Sequence, residues 1–187
     1  MTGQVLVAGI GNLFLSDDGF GGEVARRLAV QPLPDGVRVV DYGIRGMHLA
    51  YDLLDGYDAL VVVDALPGKG APGDLTVLEV GPDDLGHGEI DAHGMAPVAV
   101  LASLGQLGGS LPRTYLVGCQ PADLGEGIGL TPEVAGAVDR AVELVHEVLV
   151  EQLGLDPAHA GAHSHLAAPA QDRPAQNRPA QDREEST

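Results

Sequence analysis

The stretch from Val5 to Gly22, VLVAGIGNLFLSDDGFGG, constrains the fold more than any other part of the chain. Its continuous apolar run, Val5 to Ile10, has the character of a strand buried on both faces, and the glycines after it permit a sharp turn. Two carboxylates follow, Asp17 and Asp18, and then apolar residues at helical spacing, Phe20, Val24 and Leu28. Strand, loop and helix in that order place the loop at the carboxyl end of a strand, where open α/β sheets bind their ligands. A phosphate site there would use bare backbone amides and the positive helix end, and carboxylates would repel the ligand. Asp17 and Asp18 point instead to a cation, a polarised peptide or a proton to be moved.

The pattern repeats along the chain. Strands are predicted at Gln4 to Gly9, Val37 to Asp41, Ala59 to Asp64, Asp74 to Val80 and Thr114 to Cys119. Ala59 to Asp64, apolar until its final carboxylate, reads as central in the sheet, and the loosely alternating Asp74 to Val80 as an edge strand. Helices are predicted from Gly19 or Phe20 to Val30, from Met47 to Leu54, from Pro97 to Leu107, and from Thr131 to Leu153. Thr131 stands as N-cap of the last, with Pro132 and Glu133 in its first turn and Gly154 to end it. Strands alternating with helices give a three-layer α/β/α sandwich with a mostly parallel five-stranded sheet. Residues 1–154 are expected to form the folded domain. Residues 155–187, ending in PAQDRPAQNRPAQDREEST, lack the apolar surface needed to offset ordering entropy and are expected to be a disordered tail.

In such a sheet Asp18 after the first strand, Asp64 at the end of the third and His93 ahead of a helix can converge on one crevice. Two carboxylates and an imidazole suit zinc, nickel or a similar divalent ion, with positions open for a substrate group. Each residue also has an ordinary structural reading. An Asp at a strand end commonly forms a turn or cap, a His before a helix commonly caps it, and acids favour a positive helix end. A dinucleotide site competes as well, since Gly9-Ile10-Gly11 follows a strand and Asp41 ends the second one. Phe14 stands where that fingerprint has its third glycine, and Asp17 and Asp18 lie near the pyrophosphate position. Cys119, ending an apolar strand, reads as a buried inert thiol.

Composition narrows the partners. The formal net charge is −17, and residues 155–187 hold only five acids against three arginines, so the body itself is acidic. Nucleic acid and anionic membrane are disfavoured as partners. One cysteine excludes a disulfide within the chain, and the N-terminus lacks a signal-peptide pattern, so a cytoplasmic monomer is expected.

From Gln4 to Leu153 the chain resembles the hydrogenase maturation proteases, endopeptidases that remove a C-terminal extension from the large subunit of nickel-iron hydrogenases. The motifs that carry the resemblance are GIGNLFLSDDGFG, DYGIRGM, VVVDA, DAHGM, LVGCQP and GIGLTPEV. The resemblance implies a phosphorylase/hydrolase-like fold and a peptidase of aspartic or metal-dependent type acting on a hydrogenase large-subunit precursor. It implies that Asp18, Asp64 and His93 contact nickel already inserted in that precursor, so that the metal belongs to the substrate, with Asp18 and Asp64 as the catalytic acids. A non-catalytic factor that checks nickel loading by docking would use the same three residues. Many family members have Glu where this chain has Asp18, Gly where it has Tyr42, and Glu where it has Gln120.

Overall fold

Both faces of the central strands are covered, which is why their sequences show no polar alternation. The structure, a computed structural model, describes residues 3–85, 97–155 and 160–161. In chain order the elements are β1 (Val5–Ile10), a 3₁₀ turn (Ser16–Gly19), α1 (Phe20–Leu28), β2 (Leu33–Pro34), β3 (Val37–Gly43), α2 (Gly46–Leu53), β4 (Ala59–Ala65), β5 (Leu75–Val80), a 3₁₀ turn (Pro82–Leu85), α3 (Pro97–Ser103), a 3₁₀ turn (Leu104–Leu107), β6 (Arg113–Cys119), α4 (Pro132–Glu147), a π turn (Val148–Gln152) and β7 (Ala160–Gly161). The main sheet has the order β3-β1-β4-β6-β5. Its first four strands are parallel, and β5 runs antiparallel to β6 at the edge. This is the α/β architecture expected, with all five strands close to their predicted positions.

Alternate residues of each central strand enter different cores. Val5, Val7, Val61, Val63 and Val117 pack with Phe20, Val24 and Leu28 of α1 and Val134, Val138 and Val142 of α4. Leu6, Ala8, Leu60, Val62 and Leu116 pack with Leu49 and Leu53 of α2 and Val100 and Leu101 of α3. With 3% aromatic residues, these cores are filled mostly by branched aliphatic side chains.

One contact sets the register of α1 on the sheet. A Cβ at Gly21 would lie 2.2 Å from the Val63 carbonyl oxygen and 2.3 Å from that of Ile10, and a Cβ at Gly9 would lie 2.3 Å from the Gly21 oxygen. The first turn of α1 therefore sits in a notch between β1 and β4 that only glycine can enter. The chain passes from β1 to β3 on one side and then to β4 on the other, so this notch lies at the switch point of the sheet.

Helix ends differ from the expected ones where the backbone changes its hydrogen-bond pattern. The helix predicted over 97–107 tightens into a 3₁₀ turn after Ser103, and the one predicted to Leu153 widens into a π turn after Glu147. Gly154, at φ +69°, then ends it as expected. Ala160–Gly161 pairs antiparallel with Leu33–Pro34, whereas the sequence reading places nothing folded beyond Gly154. A two-residue ladder made by backbone alone leaves no periodicity to read. The Pro/Ala/Gln/Arg-rich tail lies outside the described residues, and so does His93. Among the described residues no helix is long and apolar enough to cross a membrane.

The notch makes a paired prediction. Gly21→Ala must displace two strands' backbone and should lower unfolding free energy by about 2 to 3 kcal/mol. Gly136→Ala, in α4 with nothing within 4 Å of the added carbon, should raise it by about 0.5 to 1 kcal/mol. Urea midpoints of the two variants check both signs.

Candidate active site

The loop after β1 is bent by residues whose backbone leaves little choice. Gly11, at φ +131°, donates its amide to the Gly43 carbonyl at 3.1 Å, and a Cβ there would fall 1.7 Å from the Asp18 carbonyl oxygen. Ser16 lies at φ +50°, the single non-glycine in the left-handed region among the described residues. Beyond it the two neighbouring acids part company, one turning into the protein and the other toward Asp64 of β4.

Asp17 is fully buried and is the anchor of the loop. Its carboxylate accepts hydrogen bonds from the amides of Ala122 (2.8 Å), Asp123 (2.9 Å) and Thr131 (2.7 Å) and from the Thr131 hydroxyl (3.0 Å). Burial works to raise its pKa, but these donors outweigh burial and hold it below the usual carboxylate range. Thr131 stands at the N-cap of α4 as predicted, yet its hydroxyl serves Asp17 and makes no capping bond to the helix. Backbone bonds complete the join between the two loops: Gly127 N–H to the Phe14 oxygen (2.9 Å), Ser16 N–H to the Gly127 oxygen (3.0 Å) and Asp17 N–H to the Asp123 oxygen (3.1 Å).

Asp18 is half-buried, and its Oδ2 accepts the Asn12 amide at 2.6 Å. Asp64 is the penultimate residue of β4, is 9% exposed, and pairs in the sheet with Gly118, which offers it no side chain. Its carboxyl is pushed well above the usual range, first by burial and then by the negative charge of Asp18, against one favourable bond from the Ala65 amide. The structure thus brings Asp18 and Asp64 into electrostatic contact at the switch point, with the notch around Gly21 holding α1 and its preceding turn against β4. At that point Asp18 and Asp64 form a carboxyl pair. They can take a proton from water or present oxygens to a divalent ion. No group of three His, Cys, Asp or Glu suited to a metal occurs among the described residues.

The other candidates have structural employment. Asp41 accepts the Gly43 amide at 3.0 Å and so shapes the turn after β3. Where a pyrophosphate would seek free amides in the first loop, the Asn12 amide is already taken by Asp18. Cys119 is buried, and its thiol is pushed up to about 11 by burial and by the charges of Asp17 and Asp74, which leaves it inert. Tyr42, where many family members have Gly, is also fully buried and donates its hydroxyl to Asp52 at 2.6 Å, with Arg38 3.6 Å from the same oxygen. This network fastens β3 to α2. The sequence reading missed Asp17 as an anchor, because its donors lie more than a hundred residues away and leave no local pattern.

A family model described as hydrogenase maturation protease matches residues 23–148, a span that includes Asp64 and begins just after Asp18. The chain is 36% identical over 150 residues to the hydrogenase expression/formation protein HupD of Rhodobacter capsulatus, covering 78% of this chain and 71% of that one. It is 34% identical over 154 residues to the hydrogenase 2 maturation protease of Escherichia coli, covering 79% and 92%. Among solved structures it is similar to the hydrogenase maturating endopeptidase HybD from E. coli, with a TM-score of 0.69 and 31% identity over 82% of this chain and 95% of that one. The hydrogenase maturation protease HycI from Thermococcus kodakarensis superposes with a TM-score of 0.64 at 28% identity, over 78% and 92%.

The Asp17 anchor carries a pH-dependent prediction. Because its folded pKa lies below the unfolded one, its stabilisation is complete above the ordinary Asp value and is lost as pH falls through the folded value. Asp17→Asn keeps one acceptor oxygen but turns the other into an amide group facing N–H donors, and should cost about 2 to 4 kcal/mol at pH 7. Urea unfolding of both proteins should show this gap narrowing steadily below about pH 4.

Proposed function

The chain belongs to the hydrogenase maturation protease family, and from that premise we propose that it is an endopeptidase removing the C-terminal extension of a nickel-iron hydrogenase large-subunit precursor after nickel insertion. The observation that carries this reading is the meeting of Asp18 and Asp64 at the switch point of the sheet. Peptide hydrolysis needs an activated water, a positioned carbonyl and a proton for the leaving amine. One carboxylate of the pair takes the proton from water as it attacks the scissile carbonyl, and the carboxyl so formed returns it to the departing nitrogen. Burial of Asp64 keeps this exchange in a low-dielectric setting, where the proton has few competing destinations.

Nickel enters as part of the substrate. Carboxylate oxygens from Asp18 and Asp64, with His93 completing the set, would contact the metal carried by the precursor and so register the loaded state. Asp18 is one methylene shorter than the Glu of many relatives, and the Asn12 amide at 2.6 Å fixes where its oxygens stand. The protein is proposed to act in the cytoplasm as a monomer. Docking without cleavage would draw on the same residues and differs in leaving the precursor's mass unchanged.

Intact mass spectrometry of nickel-loaded and nickel-free precursor, before and after incubation, tests the reading. A C-terminal peptide should be lost from the loaded form alone. Asp64→Asn and Asp18→Asn, folded as judged by urea unfolding, should slow that loss by about a hundredfold or more. Normal processing by Asp64→Asn, or equal cutting of nickel-free precursor, would overturn it.

A further inference from the structure

The two loops joined by Asp17 expose large apolar side chains that no core explains. Leu13 is 55% exposed, Phe14 60%, Leu124 40% and Ile128 80%. They are held on a platform braced by the Phe14–Gly127, Ser16–Gly127 and Asp17–Asp123 backbone bonds and by the buried Asp17 carboxylate. Apolar groups clustered on a braced surface mark an interaction site, since ordering them in water has no folding benefit. The rim adjoins the carboxylate pair: Asn12, just before Leu13 and Phe14, donates its amide to Asp18 at 2.6 Å and accepts the Phe14 amide on its Oδ1 at 3.0 Å.

We propose that Leu13, Phe14, Leu124 and Ile128 form the docking surface for an extended apolar segment of the precursor polypeptide next to the bond that is cut. The inference rests on the endopeptidase reading above. Charge rules against two other occupants. Asp123 and Glu126 are exposed on the second loop, and with Asp18 they repel an acidic segment or an anionic surface. A second copy of this chain would bring another −17 to the contact. A precursor segment continuous with the scissile bond meets the rim through its side chains while its backbone reaches Asp18 and Asp64.

The test is steady-state cleavage of nickel-loaded precursor by the full chain, with Phe14→Ser, Ile128→Ser and the double variant beside wild type. The double variant should raise KM about tenfold or more, with kcat at saturation within about twofold, and each single variant should fall between. Val30→Ser, 84% exposed just beyond α1, should match wild type. Wild-type KM in the double variant, or a fall in kcat at constant KM, would overturn the proposal. So would self-association in sedimentation that the double variant abolishes, since the rim would then serve a second copy. Binding of precursor to the Asp64→Asn protein separates the two readings. If wild type cuts nothing yet this binding weakens about tenfold on adding the rim substitutions, docking stands and the endopeptidase reading falls.

Discussion

The buried carboxylate of Asp17 is the interaction on which the functional end of the molecule depends. A charge removed from water is tolerated only when donors surround it, and here all four come from the distant loop and helix start at residues 122–131. Its location beside the first turn of α4 adds the favourable helix-end field. One side chain thereby joins the loop after β1 to the loop after β6, across the intervening β4. With the loops joined, Asp18 has a defined position and Leu13, Phe14 and Ile128 a defined platform.

Two buried acids thus have opposite physical lives. Asp17 is made more acidic by its donors, while Asp64, buried with few donors and facing the charge of Asp18, is made less acidic. Four donors serve Asp17, whereas Asp64 has burial and the adverse charge of Asp18 set against the Ala65 amide alone. The charge of Asp17 is held fixed by its donors, whereas the Asp64 carboxyl answers to the charge placed beside it.

Tyr42 shows how a departure from the family pattern is absorbed. A large aromatic residue in place of a small one must fill space and find a partner for its hydroxyl. It does both beneath α2, where Asp52 accepts the hydroxyl proton and Arg38 bonds Tyr57 at 2.9 Å while approaching Asp52. The turn that follows β3, bearing Gly43 against Gly11, is therefore backed by a buried polar network as well as by apolar packing.

By itself the sequence determined the layered α/β fold. Runs such as Ala59 to Val63 have no polar face to give to water, and the alternating strand and helix periods leave a covered, mostly parallel sheet as the arrangement that hides them. Asp18 and Asp64 were legible as candidates for the same reason, since each follows a strand at the end where loops gather. Only the tertiary structure decided that Asp17 turns inward as a buried anchor. That choice turns on the left-handed backbone at Ser16 and on donors more than a hundred residues away, neither of which leaves a local pattern. The seating of α1 was likewise decided in three dimensions: Gly9 and Gly21 are ordinary glycines in sequence, and their necessity arises from the backbone of α1 lying against Gly9 and that of β1 and β4 against Gly21.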